Sequence, residues 1–462
     1  MRVNGNTTSG RFDVTGDGAG LEGRAGLSLP AQVANQTGLT RALSQALSPV
    51  RSWREHDPGV VVRDLAVMLI DGGECVSDLA PRQAELFGEH AGQRTASQPT
   101  AWRTIEAIAA DELAVTRLEQ AVARVRAHVW SLPGGAPAVL AEEAEPVCVD
   151  LDATLVTAHS EKDGAAGTYK GTFGYHPDLA FLDRGDGTGE ALAGLLRPGN
   201  AGSNTASDHI ELLDAALAEL PRGCRDREIV VRGDIGYAVK DFLAHTREQG
   251  CRFSVSFEIT DTIKNAIRAV PERAWQPAIR QDDSLRPGAA VAELTHQITL
   301  PEGWPAASRL IVRREPLHPG AQQTIDDIDG CRFTAMLTDQ TDPYITVLEQ
   351  RHRARARAED RIRTLKDLGM RNLPCGEFSR NAVWLNLALL ALNLTTWTQA
   401  LTLEGELARA APKRLRYQLF HVAARVARSA RRITVRLHAD WPWTPQLLAA
   451  FQRLRALPPA PA

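Results

Sequence analysis

The chain has 462 residues, 44% of them hydrophobic and 24% charged, and carries a net charge of −3 at neutral pH. That length holds two or three domains with cores of their own, and that composition is globular rather than disordered or fibrous. Near-neutral charge decides nothing about nucleic acid; only the placement of the charges does.

Residues 1–34 begin with glycine at 5, 10, 16, 18, 20, 23 and 26 and read as a flexible arm. From 35 to 132 apolar residues recur at three-to-four spacing, as in VVVRDLAVMLI and AWRTIEAIA, which predicts a cluster of helices. Gly72 and Gly73 stop one of them, and Ser97 with Pro99 caps and opens another. Such a cluster suits a DNA-binding domain and equally a packing or dimerisation module. After the linker SLPGGAP the pattern turns to strands. In PVCVDLDATLV (146–156), Val147, Val149 and Leu151 alternate with Cys148, Asp150, Asp152 and Thr154. Further strands are predicted over 168–182 and 192–197, then a helix over 207–220 and a short buried strand over 227–234. A helix over 237–249, stopped by Gly250, and a strand over 251–259 complete the run. This order makes a mixed α/β sheet flanked by helices over 140–259.

Residues 260–342 break the alternation and read as a β-rich insertion, with strand-like runs at 293–300 and 309–315. One long helix is predicted over 343–368 and a second over 379–403, returning to the core fold between 343 and 404. The second contains the most apolar stretch, 382–394, which Asn386 and Asn393 interrupt. It falls short of the about 20 apolar residues a membrane span needs, so a buried core helix and no membrane contact are expected. The remaining region, 405–462, is basic. Between 407 and 439 it holds nine Lys/Arg and no Asp or Glu, which predicts a helical tail that grips DNA backbone. The opening residues lack the apolar core of a signal peptide, and the six cysteines form no C-x-x-C pair. Neither secretion nor a structural zinc site is expected, and the reading is cytoplasmic.

Three acids stand out by context. Asp152 lies in the first strand of the sheet, with Asp150 on the same face as an alternative. Asp234 ends a buried strand before a glycine turn, and Glu359 lies in an arginine-rich helix. Ligands gather at strand carboxyl ends in open α/β sheets. Converging carboxylates repel unless cations neutralise them, and hard oxygen ligands suit Mg2+ or Mn2+. A pair of such ions can clamp the attacking and leaving oxygens of a phosphodiester. Any one of these acids alone reads equally as a hydrogen-bonded strand residue or a helix cap. The helix adds a pattern: His352, Arg355, Glu359, Ile362 and Lys366 succeed one another at steps of 3, 4, 3 and 4, which is one stripe at helical pitch.

These motifs resemble those of the DDE transposases of bacterial insertion sequences. That family has a D-x-T strand, a second aspartate before a glycine turn, and a helix with Y-x2-R-x3-E-x6-K. This chain offers Asp152-Ala-Thr154, then Gly233-Asp234-Ile-Gly236, then His352-x2-Arg355-x3-Glu359-x6-Lys366, with histidine in the place of tyrosine. KGTFGYHP (170–177) and LLRPGNAGSNT (195–205) also look like segments of that group. The resemblance implies an RNase H-like catalytic core, interrupted by the β-rich insertion. It implies that Asp152, Asp234 and Glu359 hold two Mg2+ or Mn2+ ions. His352, Arg355 and Lys366 would contact double-stranded DNA at element ends and target. A homodimer would join two ends, and excision would pass through cut-and-paste steps, with a hairpin intermediate as one route. Trp275 or Trp304 would stack on a flipped base, although a core position is the favoured reading of each. Two other readings stay open: a DNA-binding regulator that does not cut, and an RNase H-fold nuclease that hydrolyses without joining.

Overall fold

The computed structural model describes residues 3–7, 10–14, 19–50, 56–79, 95–141, 145–317, 320, 327–429 and 432–460. The glycine-rich start is not without structure: β1 (Val3–Thr7) and β2 (Gly10–Val14) form an antiparallel hairpin. Then β3 (Leu21–Glu22) pairs with a strand near the other end of the chain. Five helices come next among the described residues, α1 (Ser28–Gln36), α2 (Leu39–Leu47), α3 (Pro58–Asp71), α4 (Gln98–Ala109) and α5 (Glu112–Ser131). Their ends obey the capping signals. Asp57 accepts from the Gly59 amide at 2.7 Å to open α3, Gly72 closes it at φ 101°, and Ser97 caps α4.

The central sheet has nine strands among the described residues. Its first half is β4 (Val147–Ala153), β8 (Asp178–Asp183) and β9 (Gly189–Leu195), paired antiparallel. Three short strands, β5 (Val156–Thr157), β6 (Ala166–Gly167) and β7 (Phe173–Tyr175), form a side sheet between β4 and β8. After α6 (Ala206–Ala218), β10 (Ile229–Gly233) lies parallel to β4; after α7 (Lys240–Glu248), β11 (Arg252–Phe257) lies parallel to β10. The expected run of strands and helices is present, with the helix of 237–249 reduced to Lys240–Glu248 behind a 3-10 turn.

The region read as an insertion holds α8 (Asp261–Ala269) and the strands β12 (Gln276–Ile279), β13 (Leu285–Glu293), β14 (Arg309–Pro316) and β15 (Cys331–Thr338). These do not make a separate sheet. β15 pairs antiparallel with β11, so all four extend the central sheet by its free edge. The run 309–315 is a strand as expected; the run 293–300 is not, because β13 ends at Glu293 and a turn succeeds it.

The helix expected over 343–368 is broken in three. It comprises α9 (Ile345–Arg353), a 3-10 turn (Ala354–Ala356) and α10 (Arg357–Leu365). The break has a visible cause. Arg232 of β10 donates through Nη1 to the Arg351 carbonyl at 2.7 Å, inserting a side chain into the helical ladder just before it tightens. Three residues at 3.0 rather than 3.6 per turn rotate α10 by roughly 60° relative to α9.

Helix α11 (Phe378–Thr402) runs through the centre and is buried nearly all round, as its apolar composition requires. A single hydrophobic core joins it to α1–α5 and to the sheet. Asn393, which interrupts its apolar run, has a reason: Oδ1 accepts from the Ala191 amide at 2.8 Å and Nδ2 donates to the Ala191 carbonyl at 2.9 Å. It completes the backbone of β9, the outermost strand, from the side. Beside it, buried Glu190 accepts from Arg126, Arg184, Trp130 and Trp397, tying α5 and α11 to the same strand.

The basic tail is only partly helical. A short helix α12 (Pro412–Leu415) precedes the hairpin of β16 (Ala424–Ser429) and β17 (Arg432–Leu437), and α13 (Thr444–Ala456) comes after it. β16 takes β3 as its second partner, so the two ends of the chain share one small sheet. All six cysteines are free thiols, and no helix among the described residues is long and apolar enough to cross a membrane.

One titrating group tests this packing. Glu119 lies at an apolar cavity lined by Leu43, Val62, Leu387 and Leu390, and burial, then the charge of Glu219, pushes its carboxyl up to about 7. A carboxyl raised above its unfolded value of about 4.3 adds stability that is complete below that value and lost as pH rises through the folded one. Glu119→Gln therefore raises the melting temperature relative to wild type more at pH 8 than at pH 5. Equal shifts at the two pH values in differential scanning calorimetry would show that Glu119 is not held neutral.

Candidate active site

The first two acids are brought together by strand register. β4 and β10 run parallel, with Arg232 opposite Asp150. Two residues further along stand Asp152 and Asp234, just beyond the last paired residues of two adjacent parallel strands, at their carboxyl ends. Asp152 is 8% exposed and is the penultimate residue of β4, opposite Leu179 of β8. Asp234 opens a 3-10 turn, its Oδ1 accepting from the Gly236 amide at 2.8 Å. Gly233 before it is required by close approach, since a Cβ there would stand 2.7 Å from the Tyr237 ring.

The third acid comes from α10. Glu359 is exposed, yet its charge reaches Asp152. The Asp152 carboxyl is pushed up to about 7, first by burial and then by Asp234 and Glu359, against the downward pull of Arg355. The Arg355 guanidinium lies 3.8 Å from Asp152. The three carboxylates share a field but are not closed on one point: among the described residues, no three His, Cys, Asp or Glu side chains stand close enough to hold one ion.

Asp150 is not an open alternative to Asp152. It is fully buried, and Arg232 donates to both its oxygens, through Nε at 2.6 Å and Nη2 at 2.8 Å. Its lone pairs are spent inside the sheet, below the site.

The single stripe expected of His352, Arg355, Glu359 and Lys366 is divided. The turn at 354–356 separates their directions. His352 faces the sheet, with Nδ1 2.9 Å from Ser254 Oγ and Nε2 3.2 Å from Ser256 Oγ. Burial, and then Arg355, Arg232 and Arg313, push its ring down to about 3, so it is neutral and carries no charge for a phosphate. Lys366 donates to Thr154 Oγ1 at 2.8 Å and to the Leu155 carbonyl at 3.1 Å. It thereby clasps the threonine of the D-x-T strand. Arg355 is the cation of the stripe that faces the acids.

Two arginines that the sequence offered only as helix charges hold the glutamate helix in place. Arg357 and Arg361, one turn apart on α10, reach Asp183 at the end of β8 at 3.3 and 3.5 Å, and Arg232 reaches the same carboxylate at 2.9 Å. These cations hold the Asp183 carboxyl below its usual range despite its burial. Gly189 makes room, since a Cβ there would overlap the Arg361 Nε. The i,i+4 spacing of 357 and 361 was the available signal; nothing in the sequence marked Asp183 as their common partner. On the opposite face, buried Asp178 accepts from the Tyr237 hydroxyl and the Leu179 amide, with His209 Nε2 3.8 Å away.

Trp275 and Trp304 are both half-buried with packing partners. Trp275 stacks under the Arg314 guanidinium, 4.5 Å from its ring centre, and against Phe333. Trp304 meets Phe257 edge-on at 5.0 Å.

Removing the carboxylate that gathers three arginines leaves their charges uncompensated. Asp183→Ala is expected to destabilise the fold by about 3 kcal/mol in denaturant unfolding; a loss below about 1 kcal/mol would mean that the helix is anchored elsewhere.

The chain matches the family model described as transposase DDE domain group 1 over residues 6–459. Among solved structures it is similar to a piggyBac transposase in a synaptic complex with hairpin DNA, at 8% identity and a TM-score of 0.40, covering 86% of this chain and 80% of that one. No curated protein matches it.

Proposed function

The chain belongs to the DDE transposase family, and from that membership we propose that it is an insertion-sequence transposase that cuts and joins double-stranded DNA at Asp152, Asp234 and Glu359. The observation that carries the proposal is the electrostatic meeting of these acids. Two strand ends and one helix bring three carboxylates into one field, with Arg355 as the counter-charge that reaches Asp152. Such an excess of hard oxygen charge fits divalent cations. Asp152, Asp234 and Glu359 would hold two Mg2+ or Mn2+ ions, whose chemistry is to polarise the phosphodiester and to favour an oxygen nucleophile, water for cleavage and a 3′-hydroxyl for joining.

The protein's own groups then have separate tasks. Arg355 is free to turn from Asp152 to a DNA phosphate, exchanging one anion for another. Lys366 fixes Thr154 and so the end of β4, and His352 pins α9 to β11; both serve the DNA contact by placing Arg355 and Glu359. Glu359, exposed on a helix held at Asp183, would complete the ligand set for the metals when DNA is present. Two ends are processed in one event by a homodimer, in the cytoplasm of a bacterial cell.

A second reading rests on the open spacing of the acids: a DNA-binding regulator that does not cut. Cleavage of a duplex carrying an element end, in Mg2+, separates the two. Asp152→Asn, Asp234→Asn and Glu359→Gln are each expected to lower cleavage by about 100-fold or more, since even partners of metal ligands are worth 10–100-fold, with DNA affinity kept. Cleavage by wild type no greater than by Glu359→Gln would leave the regulator. Cleavage without joined product from a pre-cut end would leave a nuclease.

A further inference from the structure

The tail hairpin carries a charge arrangement that no ion pair among the described residues neutralises. β16 and β17 pair so that Arg425 stands directly opposite Arg436, and Ala427 opposite Thr434. Alternate residues, Ala424, Val426, Val435 and Leu437, turn to the other face and pack against the hydrophobic core. One face of the ribbon is therefore fixed to the body. The other is open: Arg425 and Arg436 are both exposed, as is Leu21 beside Arg425 on β3. Like charges directly opposite across strands are destabilising. No acid occurs anywhere between 407 and 439 to relieve them, and neither arginine makes an ion pair with a described residue. This differs from Lys413 and Arg414 earlier in the tail, which pair with Asp367 and Glu406.

A paired, outward, unneutralised set of guanidiniums on a rigid ribbon is complementary to a row of phosphates. We propose that the face of β16–β17 bearing Arg425 and Arg436 is a docking surface for duplex DNA, which contacts the phosphate backbone outside the carboxylate site. The inference takes from the proposed function only its partner, duplex DNA, and needs no cleavage. Duplex DNA is favoured over an anionic membrane because the ribbon offers no free apolar face for insertion: its apolar side is spent on the core. Two parallel donors on a flat ribbon match fixed phosphate spacing.

The test uses the full chain and a short labelled duplex, with affinity measured as salt is raised. Each phosphate contact contributes a slope of about −0.9 in log affinity against log salt. The double substitution Arg425→Ala with Arg436→Ala is expected to weaken binding and make the slope shallower by about 1.8, while Arg425→Lys with Arg436→Lys restores most of it. An alanine pair with the wild-type slope overturns the inference and leaves the proposed function standing. Wild type that binds no duplex at all overturns both. Binding to phosphatidylserine-containing vesicles that duplex DNA does not compete away also overturns it. Should the alanine pair fail to fold, Arg425→Gln with Arg436→Gln takes its place: a shallower slope supports the inference and the wild-type slope overturns it.

Discussion

The bidentate pair between Asp150 and Arg232 is the interaction on which the site depends. It lies across the two parallel strands at the centre of the sheet, fully buried, and fixes which residue of β4 faces which residue of β10. A slip of one residue would send every side chain of β10 to the opposite face. The hydrophobic residues of Ile229–Gly233 are buried on both faces and so specify register weakly. A buried ion pair specifies it strongly, because either partner left alone is an uncompensated charge. The meeting of Asp152 and Asp234 is the geometric consequence, two residues beyond the lock.

The same arginine controls the helix. Arg232 spends Nε and one Nη2 bond on Asp150, another Nη2 bond on Asp183, and Nη1 on the Arg351 carbonyl. It thus joins β4, β8 and α9 with one rigid fork of donors, which a lysine could not do. The break at 354–356 results from that claim on the helical ladder. The turn also sets the chemistry. It takes His352 out of the cationic face and gives it to Ser254 and Ser256, and it leaves Arg355 beside Asp152.

Much of this was legible from the residues. The alternation in PVCVDLDATLV and the glycine turn after IVVRGD mark strand ends with an acid on each, and α11 is read from a run too apolar to be exposed and too short to span a membrane. What was not legible is long-range. No local pattern says that Arg232 will reach the Arg351 carbonyl, so an unbroken helix is what periodicity gives. No local pattern says that β15 will pair with β11, so a separate insertion is what composition gives. The tail is a different failure. ARVARS and RITVRL alternate with period two, a strand signal, and a ribbon stands where arginine content alone suggests a charged helix.

Charge balance explains why the acids stand apart. With Arg355 against Asp152 the field at this carboxyl is partly neutralised, but Asp234 and Glu359 still raise it. Drawing Glu359 inward without added positive charge would raise it further, so its exposed position is the lower-energy one for the protein alone. The surroundings of Glu359 are nonetheless firm: Arg357 and Arg361 hold its helix at Asp183 on either side of it in sequence. Under the proposed function, inward rotation of the Glu359 side chain would become favourable once cations at Asp152 and Asp234 offset that repulsion. On the proposed reading this makes assembly of the site conditional on metal and DNA together, since Arg355 leaves Asp152 only when a phosphate offers it an equal partner.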